Sequence, residues 1–288
     1  MISAESFPMR GGKRWWMPLA AVVLFAGPVA AAPVDSEVRS VLAGAGTFAE
    51  YERMSRAIDD SSLGWEERVA LLRRRGALLS HYYLLESALR DFRAASHLAP
   101  HYSLAHLDEA TVLTKLGRYE EAYAAFKRGF QANPTNLVLF MVRGMAYFNE
   151  GNYRRAERDF KRHLEFHRKD GYRMMWLALA ILHQGRDGRA VLARYAAELP
   201  SGQWPRPLVD FYLGAEDEAA VDAALERAAA LPGDRERHCE AYFFLGQWYR
   251  ATGDEQRARG YFQKTVDTGV RGLMEYASAR LMLAQGER

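Results

Sequence analysis

Two histidines four residues apart are the strongest hint of metal chemistry in this sequence. The stretch 163–167 begins with His163 and ends with His167, a spacing that puts both rings on one helical face and can hold zinc. The metalloprotease pattern requires a glutamate directly after the first histidine, and Leu164 stands there instead. No third ligand is evident, so we expect a solvated helix face and predict no metal site.

Other reactive residue types give no catalytic pattern either. Cys239 follows His238, but no orienting Asn or Asp can be assigned, so we expect a buried or idle thiol. Residues 185–188 are not a phosphate loop, because no strand precedes them and no Lys-Ser or Lys-Thr follows. Three further histidines straddle Pro100 and are expected at the surface: His97, His101 and His106. We therefore predict no catalytic residue, no cofactor and no enzymatic activity.

Small residues at a constant interval of 34 indicate a repeat protein. Gly76, Ala110, Gly144 and Ala178 have this spacing. Each is followed twelve residues later by an alanine, and the first three are followed sixteen residues later by a phenylalanine. These residues are Ala88, Ala122, Ala156 and Ala190, and Phe92, Phe126 and Phe160. Helix-turn-helix tetratricopeptide repeats have this period, with small residues where two helices approach closely.

The repeat pattern weakens and then returns. The fourth unit lacks the phenylalanine, and prolines interrupt the pattern over 199–238, where we expect an irregular helical segment. Gly246 lies two periods after Ala178 and restores the phase. The predicted fold is all-α: a tetratricopeptide-repeat helical solenoid with an N-terminal helix and turn and a C-terminal capping helix. Its predicted segments are 36–66 (helix and turn), 67–198 (repeats 1–4), 199–238, 239–270 (a further repeat) and 271–288 (capping helix).

Residues 1–31 have the features of a secretory signal. A basic stretch is followed by an apolar run over 15–26 and by small residues before Pro33. The apolar run is short for a transmembrane helix, which needs about 20 residues. We expect cleavage after Ala31 and a periplasmic location, with an uncleaved inner-membrane tether as the alternative. The sole cysteine lies far from this segment, so the chain is not expected to be a lipoprotein.

Composition supports a folded protein that does not bind nucleic acid. The chain has 288 residues, 49% of them hydrophobic, which excludes a disordered protein. Its net charge of +3 falls to about +1 without the signal segment, so charge gives no support for nucleic-acid binding. The helix expected within 36–66 is amphipathic and can cap the solenoid or pair with a second copy.

The order of several segments resembles NlpI-type proteins, tetratricopeptide proteins of the bacterial cell envelope. The resemblance runs through 51–54, 66–68, the repeats, 204–214 and 242–249, and covers roughly 48–286. It implies a homodimeric adaptor that brings together murein hydrolases such as endopeptidases and delivers some partners to a periplasmic tail-specific protease. Family members are typically outer-membrane lipoproteins, whereas this chain lacks the lipid-accepting cysteine.

The repeat phase also predicts a partner-binding groove. The first helix of each unit lines the concave side of such a solenoid, which suits a peptide or a partner helix. The methionines on this face favour adaptable apolar contacts. The groove residues predicted are Arg73, His81, Leu107, Thr111, Lys115, Met141, Met145, Phe148, Asn149, Tyr172 and Met175. The alternatives are that the methionine stripe is core or that the C-terminal segment folds back and fills the groove.

Two functions remain open at this stage. The first is a non-enzymatic periplasmic adaptor for peptidoglycan hydrolases or a protease. The second is a tetratricopeptide scaffold of a secretion, pilus or polysaccharide-export machine.

Overall fold

The structure, a computed structural model, describes residues 35–168, 170–197, 199–200, 204–215, 217–229 and 231–285. The predicted signal segment, 1–31, lies outside these residues, as does the end of the predicted capping segment. Within the described residues no helix has both the length and the apolarity needed to cross a bilayer.

Helical pairs account for almost all of the described chain. Two short helices come first, α1 (Ser36–Gly44) and α2 (Phe48–Asp59). Four hairpins follow: α3 (Trp65–His81) with α4 (Leu85–Leu98), α5 (Ser103–Lys115) with α6 (Tyr119–Ala132), α7 (Leu137–Glu150) with α8 (Tyr153–Leu164), and α9 (Gly171–Leu182) with α10 (Arg189–Ala196). The remaining helices are α11 (Arg206–Leu213), α12 (Glu218–Ala228), α13 (Asp234–Thr252), α14 (Glu255–Asp267) and α15 (Met274–Gln285).

The helix ends follow local capping chemistry. Asn136, Asp170 and Asp254 each accept a hydrogen bond from a backbone N–H in the first turn of α7, α9 and α14. Gly151 and Gly253 end α7 and α13 in the left-handed conformation, with φ of 89° and 92°. Side-chain caps therefore fix where α7, α9 and α14 begin, and glycines fix where α7 and α13 end.

Two segments differ from the sequence-based expectation. The region 36–66 contains two helices, not one, because the chain turns at Gly46, whose φ is 72°. The first helix of the last hairpin begins at Asp234, about one turn before the predicted start at 239.

Close packing of a small residue on a phenylalanine repeats through the array. A Cβ built on Gly76 would lie 2.7 Å from the ring of Phe92, and Gly144 has the same relation to Phe160. The fourth unit lacks the phenylalanine, and there a Cβ on Gly188 would lie 2.6 Å from the carbonyl oxygen of Ala178. In this unit the close approach is between the backbones of Gly188 and Ala178, whereas in the first and third units a glycine packs on a phenylalanine ring.

The C-terminal part of the chain returns to the earlier hairpins. Helix α13 packs against α9, and α15 packs against α13, α14, α5 and α7. The capping helix therefore does more than cover the final hairpin: it also lies against the first helices of the second and third units.

Candidate functional site

The first helices of the first two hairpins border an open apolar groove. A cavity of about 640 Å³ lies between the start of α3 and the α4–α5 connection. Trp65, Val69 and Ala70 line it from α3, and their spacing puts them on one face of this helix. Leu98, Pro100 and Tyr102 line it from the other side. We call this space, together with its continuation between α3 and α5, the α3–α5 groove.

The groove walls expose large apolar groups to solvent. Trp65 is 58% exposed, and Leu98 and Tyr102 are each about 40% exposed. Single exposed apolar side chains are ordinary, but three around one concavity make a surface suited to an apolar ligand side chain.

An ion pair crosses the middle of this groove. Arg73 on α3 donates to the Asp108 carboxylate on α5, and its Nη1 donates to the Tyr102 hydroxyl at 2.9 Å. Burial raises the pKa of Asp108, and the Arg73 guanidinium offsets part of this rise. The pair holds α3 and α5 in register and fixes the position of the Tyr102 ring at the apolar end.

The other end of the groove is polar and narrower. A second cavity, of about 280 Å³, is lined by His81, Thr111, Lys115 and Gly272, among others. The Lys115 ammonium donates to the Gly272 carbonyl at 2.7 Å. Burial lowers the pKa of Lys115 to about 8, against the opposing effect of Glu275. The loop before α15 therefore closes this end.

The predicted groove residues divide between this open space and the protein interior. Arg73, His81, Thr111 and Lys115 border the α3–α5 groove. Leu107 is buried next to it, while Met141 and Tyr172 are half-buried farther along the array. Met145, Phe148, Asn149 and Met175 are buried within the chain.

The expected exposed methionine stripe is covered by the protein itself. Asn149 donates to the Ser278 hydroxyl of α15 at 2.8 Å. Phe148 packs edge-on against Trp176 of α9, with ring centroids 5.0 Å apart. The Trp176 indole donates to Glu275 of α15 at 3.2 Å. This arrangement is the alternative in which the C-terminal segment folds back into the groove.

Two acids, the half-buried Glu240 and the buried Glu275, lie where α13 and α15 meet α9. The Trp204 indole donates to Glu240 at 2.9 Å, while Glu275 binds Trp176. Burial, and then the charge of Glu275, raise the pKa of Glu240 to about 7. Trp204, and then Tyr172, oppose this rise in the pKa of Glu240.

Two of the histidines and the cysteine that were examined as candidate metal ligands or catalytic groups are buried in the fold. His163 is buried, not solvated as expected: its Nδ1 lies 3.2 Å from the Leu137 carbonyl and its Nε2 lies 3.3 Å from Asp170. His106 was expected at the surface but is also buried, 2.9 Å from the Pro100 carbonyl. Cys239 is buried, which raises the pKa of its thiol to about 12. The described residues contain no group of three or more His, Cys, Asp or Glu side chains placed to bind a metal.

The apolar end of the groove was not identified from the sequence. Its contributors, Trp65 and Val69, lie eight and four residues before Arg73 on the same helical face. Extending the predicted groove face backwards along α3 could have found them. Leu98 and Tyr102 belong to a connection between units, and the helical phase carries no information about such positions.

Comparison with known proteins agrees with the repeat architecture. A family model for the tetratricopeptide repeat matches residues 85–136 and 141–205. A solved tetratricopeptide repeat protein from Parabacteroides merdae aligns with 88% of this chain and 100% of its own at 20% identity, with a TM-score of 0.54.

Two further solved structures align with lower scores. YrrB, described as a TPR protein with an unusual peptide-binding site, aligns with 80% of this chain and 97% of its own, at 17% identity and a TM-score of 0.41. The pilF protein of Pseudomonas aeruginosa aligns with 78% of this chain and 100% of its own, at 14% identity and a TM-score of 0.46. The family match and the Parabacteroides structure confirm the predicted all-α tetratricopeptide-repeat solenoid.

Proposed function

We propose that this chain, a tetratricopeptide-repeat solenoid, is a non-enzymatic periplasmic adaptor that binds partner proteins in the α3–α5 groove. Tetratricopeptide repeats form protein-binding scaffolds, and the groove is where this array leaves its concave side open. The observation that carries the proposal is the 640 Å³ apolar cavity walled by Trp65 and Tyr102, with Arg73 at its inner end.

The groove suits a partner segment with an apolar anchor. An extended strand or an amphipathic helix can insert one apolar side chain between Trp65 and Leu98. Large, well-packed anchors dominate the energy of protein interfaces, so one filled cavity can determine affinity. Backbone or carboxylate groups of the partner can reach the Arg73 guanidinium and the Tyr102 hydroxyl.

The resemblance to NlpI-type proteins supports the choice of partners. It favours peptidoglycan hydrolases, endopeptidases above all, and a periplasmic tail-specific protease. The same resemblance supports a homodimer. The basic and apolar N-terminal segment supports export to the periplasm.

A bait experiment with paired variants tests the proposal. Ala70 is exposed and lines the apolar cavity, so Ala70→Glu introduces a charge into the groove without disturbing the core. Ala124 is an exposed alanine of α6 outside the residues that line the groove, so Ala124→Glu is the matched control. The mature wild-type chain and both variants are used to capture proteins from envelope extract of the native host.

The expected result is recovery of murein hydrolases and a tail-specific protease with wild type and Ala124→Glu. Ala70→Glu should lose at least tenfold in captured partner, because the longer charged side chain takes up space in the cavity and must be desolvated when an apolar anchor enters it. Equal capture by all three baits would contradict binding in this groove. Recovery of secretion, pilus or polysaccharide-export components would instead support the second function. The amino-terminal sequence of the native protein tests export and cleavage.

A further inference from the structure

The outward face of α8 carries a dense set of cations. Its exposed side contains Arg154, Arg155, Arg158, Lys161 and Arg162. Their spacing of one, four, seven and eight residues puts them on one side of the helix. The opposite side of α8, with Ala156, Phe160 and Leu164, is buried in the array. The turn after α8 adds exposed Phe166 and Arg168. We call these seven exposed residues the α8 face.

Few carboxylates neutralise this charge. The acids within α8 are buried: Asp159 pairs with Arg143, and Glu157 binds Lys161 and Arg186. Two exposed acids lie beside the cations: Glu165 pairs with Arg162, and Glu150 lines one cavity with Arg154 and Arg155 and accepts a hydrogen bond from Tyr123. No carboxylate of the described residues lies within 4.0 Å of the other four arginines of the α8 face.

A second arginine cluster in the same protein shows the contrast. Arg73, Arg74 and Arg75 also lie in sequence on one helix, but each pairs with an acid of a neighbouring helix: Asp108, Glu50 and Asp91. These ion pairs join helices within the fold. Within the described residues, no arginine of the α8 face pairs with an acid of another helix, although Arg155 lies over the Tyr147 ring of α7, 5.5 Å from its centroid.

An exposed aromatic ring completes the α8 face. Phe166 is 61% exposed, and the guanidinium of Arg162 lies over its ring, 5.3 Å from the centroid. Basic side chains around an exposed aromatic group are typical of surfaces that bind the interface of an anionic membrane. On surfaces of that kind the cations contact lipid phosphates, and the ring enters the region between headgroups and acyl chains.

We propose that the α8 face binds the surface of a membrane that contains anionic phospholipid. An acidic protein would satisfy the charges, but a single exposed ring among cations matches the boundary between headgroups and acyl chains, where an aromatic group and basic side chains bind together. Helix α8 is the second helix of its hairpin and lies on the side away from the first helices that border the groove. Membrane binding therefore leaves the α3–α5 groove accessible to a partner. The proposal does not depend on which partner the groove binds.

Vesicle flotation at about 0.1 M salt tests this surface. The mature chain from Ala32 is used, since residues 34–288 form a compact unit by themselves. The vesicles contain equal parts of phosphatidylglycerol and phosphatidylcholine, or phosphatidylcholine alone. One variant carries Arg154→Gln, Arg158→Gln and Arg162→Gln. The control removes the same charge from exposed arginines elsewhere, by Arg53→Gln, Arg227→Gln and Arg271→Gln.

Each cation near an anionic surface contributes roughly a fivefold factor to binding. The α8 variant should therefore bind anionic vesicles on the order of a hundredfold more weakly, and the control within about threefold of wild type. The double variant Arg154→Gln, Arg158→Gln removes no ion pair and should lose about 25-fold. Phe166→Ser should lose several-fold because it removes the inserted ring.

Three outcomes would overturn the proposal. The first is equal binding to anionic and neutral vesicles, and the second is equal loss in the α8 variant and the control. The third is binding to soluble polyglutamate with no binding to vesicles, which would assign the face to an acidic protein. Partner capture by the α8 variant should remain at the wild-type level, which separates this test from that of the groove.

Discussion

The concave sides of the first two hairpins and of the next two are built from the same repeat, but the first is far more open: its cavity holds about 640 Å³, against about 270 Å³ at the start of α9. Between α3 and α5 the space is lined by exposed Trp65 and Tyr102 and is crossed by a single ion pair. Along α7 and α9, Met145 and Met175 stand one and three periods after Thr111 and Arg73 of the groove, and both are buried under later parts of the chain. A repeat of one sequence pattern thus gives an open groove in one half and a core in the other.

The difference arises from the length of chain after the repeats. Helices α13 and α15 occupy the concave side of the third and fourth units and bury aromatic rings there, including Trp176 and Phe243, whose centroids are 5.1 Å apart. The loop before α15 reaches only the edge of the α3–α5 groove, at Lys115. The groove is therefore shorter than the array, and a partner needs to contact only two units.

The largest expected effect comes from a substitution in the half of the array that is covered by α13 and α15. Trp176 is fully buried and packs on Phe148, Phe160, Phe243 and Phe244. We expect Trp176→Ala to lower the free energy of unfolding by about 3–5 kcal/mol. Urea unfolding monitored by circular dichroism measures this.

The matched substitution in the open half is Trp65→Ala. Since Trp65 is mostly exposed, stability should change by no more than about 0.5 kcal/mol, while partner capture falls. Similar losses of stability in the two variants would show that the distinction between the two halves is wrong.

A smaller loss of stability is expected at Gly188, where the backbones of α9 and the start of α10 are in close contact. A methyl group at Gly188 would meet the Ala178 carbonyl, which cannot rotate away. We expect Gly188→Ala to destabilise the fourth hairpin by about 1–3 kcal/mol. Differential scanning calorimetry would detect this as a lower melting temperature.

Gly260 in α14 is the control, because nothing lies within 4 Å of a Cβ built there. Gly260→Ala should stabilise the protein by about 0.5–1 kcal/mol through helix propensity. A Gly188→Ala protein as stable as wild type would mean that α9 and α10 do not depend on this close approach.

The last expected effect is no larger than that of Gly188→Ala and depends on pH; it concerns the half of the array that is covered by α13 and α15. The pKa of Glu240 is raised by burial, and then by Glu275, to about 7 from its usual 4.5. An acid with a higher pKa in the folded chain binds its proton more tightly there, so its stabilisation is present below about pH 4.5 and is lost as pH rises through about 7.

Glu240→Gln retains acceptor atoms for Trp204 and Tyr172 but cannot ionise. At pH 8 it should be more stable than wild type by roughly 1–3 kcal/mol, and at pH 5 nearly equal to it. Glu275→Gln should move the pH window of the wild-type loss downward, because it removes the neighbouring charge. Parallel unfolding curves for wild type and Glu240→Gln at both pH values would contradict an ionisable pair at this site.

Local regularity made much of the fold predictable from the sequence. The contact of Gly76 with Phe92 spans 16 residues, and the same relation recurs at Gly144 and Gly246. The sequence did not predict the burial of individual polar side chains, because burial depends on neighbours that are distant in the chain. His106 and His163 look like surface residues in the pattern, but each is buried with a backbone carbonyl within hydrogen-bond reach of its ring.

The candidate site was predictable only in part. The helical phase identified Arg73, Thr111 and Lys115, because the first helix of each unit faces the concave side. It could not identify Leu98 or Tyr102, which approach the groove from a connection between units. The phase also did not predict how much of the concave side α13 and α15 would cover.

The sequence by itself determined the repeating hairpin, because small residues and phenylalanines at fixed spacing define contacts between neighbours. Only the tertiary structure decided which part of the concave side stays open. That decision rests on contacts such as Lys115 with Gly272 and Asn149 with Ser278, 157 and 129 residues apart in the chain. Contacts of this range follow from the path of the whole chain, and a period of 34 residues does not encode them.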